Sequence, residues 1–354
     1  MYTLCGKEAF VLTSKERVYR AIQHEQTDRP PRFIWLGEKA AQKIAEKLAI
    51  PEKDVNIHIG NDVLQTWLSI NGQMERKAEP GESFTDEWGI TWKREGCYNT
   101  VVINPLCNLS AAEIAAHPFP DPLAPERYTG LKRLLAEYGD SHFIGADISG
   151  TIFEPAYHLR GMETLLADMM LESGEAEVLL DRVCDFSLAV AEECARLSVD
   201  WIWLGDDIGT QKGMIMSPGL WRRAIKPRMK KVIDCIKAIQ PEMCIAYHSC
   251  GTVSPVIEDL IEIGVNVLNP IQESALDMDQ NVIKCLYGSR LTMMCGLDTQ
   301  QFLPNAAPEE AATATRKKID TLHKGGGYIF AASHTIQPDI PINTILSMIQ
   351  EADI

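Results

Sequence analysis

Residues Met243-Cys-Ile-Ala-Tyr-His-Ser-Cys-Gly251 carry the most suggestive chemistry in the chain. His248 and Cys250 stand two apart at the end of a short apolar run, so on extended backbone their side chains point the same way. Imidazole and thiolate are ligands that suit Zn²⁺, although two of them do not make a site. A third donor has to come from elsewhere. His334 is the candidate, with Cys295 in reserve because Met293-Met-Cys also reads as plain core packing.

The elements that must position these groups follow from apolar patterning. Eight short apolar runs are predicted as buried strands, at residues 33–36, 61–67, 142–147, 200–204, 243–247, 265–268, 291–294 and 328–331. Helical segments alternate with them, at 127–138, 161–171, 175–197, 218–239, 253–263, 278–286, 308–324 and 342–352. Two earlier helices are predicted, one opened by the Thr13–Glu16 capping box and one over 38–48. The first dozen residues show no period and read as a tail. Residues 84–92 and 98–103, with glycine turns between them, predict a β-hairpin inserted at about 84–103. Sequential βα units imply a parallel sheet, open or closed. No GxGxxG follows the first strand, and eight units favour an α/β fold of the (β/α)₈ TIM-barrel type. The expected organisation is one domain over 1–354.

In such barrels chemistry sits at the C-terminal ends of the strands. The acidic residues arriving there are Glu154 after the third strand and Asp206 and Asp207 after the fourth, candidates for acid–base work. Trp35, Tyr247, Gln272 and Gln337 are candidates for substrate contact. The other six histidines read as surface or packing residues.

Composition narrows the class. A net charge of −15 argues against nucleic acid or an anionic membrane as partner. No run of 18 apolar residues appears, and the N-terminus lacks signal-peptide character. Ten cysteines without a CxxC read as reduced thiols, hence a cytoplasmic globular protein. A homodimer is an option.

Three stretches carry a family resemblance over nearly the full chain: Ser14–His24 with Asp28-Arg-Pro-Pro31, Cys295-Gly-Leu-Asp-Thr299, and Gly326–Pro341. Together they resemble the uroporphyrinogen decarboxylase superfamily. True decarboxylases of that family are metal-free and carry an Arg-Gln-Ala-Gly-Arg-Tyr stretch for substrate carboxylates. Here the corresponding segment is Arg32-Phe-Ile-Trp-Leu-Gly-Glu38, with one arginine. The chain looks closer to the zinc-dependent, cobamide-linked methyltransferases, whose His-x-Cys is matched by His248 and Cys250. Their distant cysteine is His334 here, a departure from the pattern. The resemblance implies transfer of a methyl group between a small O-, N- or S-methyl substrate and a corrinoid carried by a partner protein, with zinc as Lewis acid. The hairpin insertion is where that partner would sit. The alternatives are a metal-free carboxy-lyase acting on a tetrapyrrole and a non-catalytic barrel that binds a tetrapyrrole or corrinoid.

Overall fold

A computed structural model describes residues 12–69, 78–96 and 98–353. The tail expected at the start of the chain falls on residues 1–11, outside the described set.

Seven parallel strands follow one another around a curled sheet: Val63–Trp67, Phe143–Asp147, Trp201–Gly205, Cys244–His248, Val267–Asn269, Thr292–Leu297 and Tyr328–Ala332. They occupy the second to eighth predicted positions. The first predicted strand, 33–36, is not a regular strand. It is an extended segment that closes the barrel through single bridges, Arg32 with Phe330 and Leu36 with Ile336. The physical reason lies beside it. Asn61 accepts from the Ile34 N–H (2.8 Å) and donates to the Ile34 carbonyl (3.0 Å). A side-chain amide thus takes the backbone groups that a neighbouring strand would have used.

Alternation along each strand separates two cores. Val63, Phe143, Trp201, Trp203, Cys244, Ala246, Val267, Met294 and Ile329, with Phe33, fill the barrel interior. The intervening residues, among them Ile202, Ile245, Tyr247 and Cys295, pack outward against the helices. Gly145 is required by this packing. A Cβ there would lie 2.1 Å from Trp201 Nε1, and overfilling a packed core costs about 1–3 kcal/mol.

Short helices Val55–His58 and Ala111–Ala116 were not expected, and two further departures of the helical layer have a clear physical cause. Predicted helix 218–239 is broken into Pro218–Ala224 and Lys226–Ile239, because Pro227 has no N–H and its ring crowds the carbonyl one turn back. Helix Phe153–Arg160 was not expected at all. Its first N–H groups are capped from 52–54 residues away by Asp206, which accepts from Ile152 and Glu154 at 3.0 Å. No local capping residue announces it.

The predicted hairpin is a three-stranded antiparallel sheet, Ser83–Thr85, Thr91–Glu95 and Tyr98–Ile103. Asp86 holds its first turn by accepting from the Trp88 and Ile90 N–H groups and from Trp92 Nε1. Among the described residues no helix is long and apolar enough to cross a membrane.

Candidate metal centre and active site

His248 is the last residue of its strand and points into the barrel mouth. The three N–H groups that follow it are all engaged by neighbouring loops. Ser249 donates to the Asn269 carbonyl (2.9 Å), Cys250 to Asp207 Oδ1 (2.7 Å) and Gly251 to Gln272 Oε1 (2.7 Å). Gly251 has φ +77°, and a Cβ there would meet the backbone of Gly209 at 2.5 Å. Only glycine turns so tightly against that neighbour.

The imidazole of His248 is oriented from behind. Asn269 Nδ2 donates to the Met294 carbonyl (3.1 Å), which turns Asn269 Oδ1 toward His248 Nδ1 at 2.8 Å. Nδ1 therefore carries the proton, and Nε2 offers its lone pair to the mouth. Cys250 Sγ lies 3.6 Å from that Nε2. A tetrahedral zinc with ordinary Zn–N and Zn–S bonds sets this edge at about 3.6 Å. The third donor is His334, and the ligand atoms of His248, Cys250 and His334 all lie within 4.8 Å of one another. Indoles hold both rings. Trp35 stacks on His334 (6.1 Å, 16°) and Trp203 on His248 (5.9 Å, 28°). Burial, then the neighbouring His248, pushes His334 down to about 4, leaving a neutral ligand at pH 7. Cys250 is pushed well above the usual thiol range by burial, Asp207 and Glu154. A metal ion would have to displace its proton, as is general for thiolate sites. The donor set and its geometry fit zinc.

A cavity of about 920 Å³ opens over this cluster. Of the residues singled out in the sequence, Trp35, Glu154, Asp207, His248, His334 and Gln337 line it. Asp207 Oδ1 stands 3.7 Å from His248 Nε2. Burial, then Asp207 and Asp206, raises the Glu154 carboxyl well above its ordinary range, and the Tyr157 hydroxyl approaches it at 3.5 Å.

Four expected residues are placed elsewhere. Asp206 is fully buried under the loop as the helix cap described above, and burial raises it to about 7 despite those N–H donors. Tyr247 faces the helices rather than the barrel, because it alternates with His248. Gln272 lies behind the turn, binding the Gly251 N–H and reaching the Ser333 carbonyl at 3.4 Å. Cys295 is buried in the outer core, away from the His–Cys cluster.

Other wall residues were not singled out as site residues. Trp67 and Asp147 are the uppermost inward residues of adjacent strands and stand in register. Gln65 and Ser149 donate to Asp147, whose burial raises it to about 7. Period-two counting along Val63, Gln65, Trp67 would have found the first. His158, read as a packing residue, also lines the cavity, between Trp92 and Tyr157. Burial pushes it down to about 3.

Comparison with known proteins adds an independent line. The family model described as uroporphyrinogen decarboxylase (URO-D) matches residues 90–353. The chain is 21% identical over 326 residues to the methylcobamide:CoM methyltransferase MtbA of Methanosarcina acetivorans, covering 87% of this chain and 89% of that protein. For the protein of the same name from Methanosarcina mazei the identity is 22% over 325 residues, with the same coverage. Among solved structures, a methyltransferase from Methanosarcina mazei superposes with a TM-score of 0.71 at 16% identity, covering 97% of this chain and 98% of that one. That superposition supports the barrel.

Proposed function

Because the chain belongs to the uroporphyrinogen decarboxylase family, and its barrel mouth gathers a His₂Cys cluster, we propose that it transfers a methyl group. The transfer runs between a small O-, N- or S-methyl substrate and a corrinoid carried by a partner protein. Two relatives are named for methyl transfer between methylcobamide and CoM, which supports the corrinoid side of this reading. The observation that carries it is the 3.6 Å edge between His248 Nε2 and Cys250 Sγ, with His334 in reach.

Zinc held by His248, Cys250 and His334 would supply Lewis acidity toward the substrate heteroatom. Asp207, beside His248 and facing the cavity, orients that heteroatom or takes a proton from it. Burial, with Asp207 and Asp206 nearby, favours the protonated form of Glu154, which suits it to hand a proton to a departing heteroatom. Trp35 and Gln337 form part of the wall that holds the substrate.

The carboxy-lyase alternative is less favoured. Arg32, the single arginine of its segment, is buried and donates to the Ile349 carbonyl and Asp353 rather than into the cavity. Carboxyls line the mouth, where a polycarboxylate substrate needs cations.

The test is metal analysis of protein purified without chelator, for the wild type and Cys250→Ala, joined to a cob(I)alamin absorbance assay with candidate methyl donors. About one zinc per chain in the wild type, lost in the variant, is expected. A wild type that takes up no zinc when offered it overturns the reading.

A further inference from the structure

The charge and aromatic pattern of the cavity narrows the molecule that the proposed transfer uses. Asp147, Glu154 and Asp207 all line the cavity. Among the described residues, no lysine or arginine forms an ion pair with any of them. Their neighbours are Gln65, Ser149, Tyr157, the Cys250 N–H and His248. Among the described residues, the one arginine set deep in the wall is already committed. Arg127 donates to both carboxylate oxygens of Glu87 and to the carbonyls of Leu68 and Asp121. Of the other cations on the wall, Lys39 is exposed and Arg94 is tied to the Gly96 carbonyl.

Beside Asp147 stands an aromatic wall. Trp67 is the strand neighbour of Asp147, and its ring centroid lies 5.7 Å from that of Trp35. Thr335, another wall residue, is 7% exposed and leaves its hydroxyl without a partner.

We infer that the substrate is a small organic cation: an alkylated ammonium head lying against Trp35, Trp67 and Asp147, with an arm whose oxygen or sulfur reaches toward His248, Cys250 and His334. This rests on the proposed function and deepens it. A fully alkylated (quaternary) ammonium has no N–H to donate, so indole faces and nearby carboxylates recognise it better than a hydrogen-bonding site does. An anionic head at the same place meets three carboxyls and, among the described residues, no free deep cation.

Three alcohols that share a hydroxyethyl arm provide the test. They are choline, its neutral isostere 3,3-dimethyl-1-butanol, and 2-hydroxyethanesulfonate. Binding to the full chain is read by tryptophan fluorescence and calorimetry, with zinc content measured on the same samples. Choline is expected to bind about tenfold more tightly than the neutral isostere, with the sulfonate weakest. Asp147→Asn narrows the preference for choline over the isostere, measured above about pH 7 where Asp147 is ionised, without changing zinc content. Trp67→Leu weakens choline in the same way and covers the case in which Asp147→Asn does not fold. Equal or tighter binding of the neutral or anionic alcohol, or no binding of choline, overturns the inference. If zinc binds and cob(I)alamin reacts with a neutral or anionic methyl donor, the methyl-transfer reading stands and the cation falls. If no zinc binds while choline is still selected, the reverse holds.

Discussion

Asn269 Oδ1 lies 2.8 Å from His248 Nδ1, and the Asn269 amide is itself locked by the Met294 carbonyl. This contact decides which nitrogen of His248 faces Cys250. Replacing Asn269 with leucine frees both the tautomer and the ring. Zinc affinity is expected to fall about 10- to 100-fold, measured by competition with a chromophoric chelator. Asn269→Asp, which still accepts from Nδ1, should keep most of the affinity. Unchanged affinity in Asn269→Leu would show that the ring is held by Trp203 alone.

The adjacent carboxyls Asp206 and Asp207 are expected to separate cleanly. Asp207→Asn retains an oxygen for the Cys250 N–H but removes the charge facing the cavity. Methyl transfer should drop by about 10²-fold or more with zinc retained. Asp206→Ala strips the cap from helix Phe153–Arg160, so its main effect should be on thermal stability. The reverse pattern in paired kinetic and melting measurements would exchange their roles.

Asn61→Ala tests how the barrel closes. The substitution leaves the Ile34 N–H and carbonyl without partners on that side. Two buried backbone groups left unmet cost about 2–6 kcal/mol, read as a lower midpoint in urea. A midpoint within error of the wild type would mean that water replaces the amide.

Asp147 gives the stability a pH dependence of definite sign. Burial raises its carboxyl to about 7 in the folded chain, against about 3.9 when unfolded. Between those values the folded state keeps a proton that the unfolded state has lost, so stability falls as pH rises through the window. Its contribution is fully present below about pH 4 and gone above about pH 7. The melting temperature of the wild type minus that of Asp147→Asn should therefore decline from pH 4 to 7 and level off above. Groups common to both proteins cancel in this difference. A flat difference would show Asp147 ionised throughout.

Strand positions two to eight, and His248, Cys250 and His334 as a set, were legible in the sequence because they depend on local pattern. Apolar runs punctuated by turns define buried strands, and parallel βα order sends their C-terminal ends to one mouth. What the sequence did not resolve depends on partners far along the chain. Asp206 is the clearest case. Its type and position suit chemistry, yet it turns away to cap a helix that starts some fifty residues earlier. Asp207, one residue on, faces the cavity instead. Tyr247 was placed one residue from the correct face, because a strand end defines which residues alternate but not which side is the barrel interior. The Asn61 amide standing in for a strand, and Asn269 aligning His248, are contacts between separate βα units. The sequence by itself determined that a histidine and a thiol emerge together from a buried strand. Only the tertiary structure decided which nitrogen is offered and which carboxylate shares the mouth. Those outcomes belong to hydrogen-bond donors and acceptors paired across strands, where sequence separation carries no information.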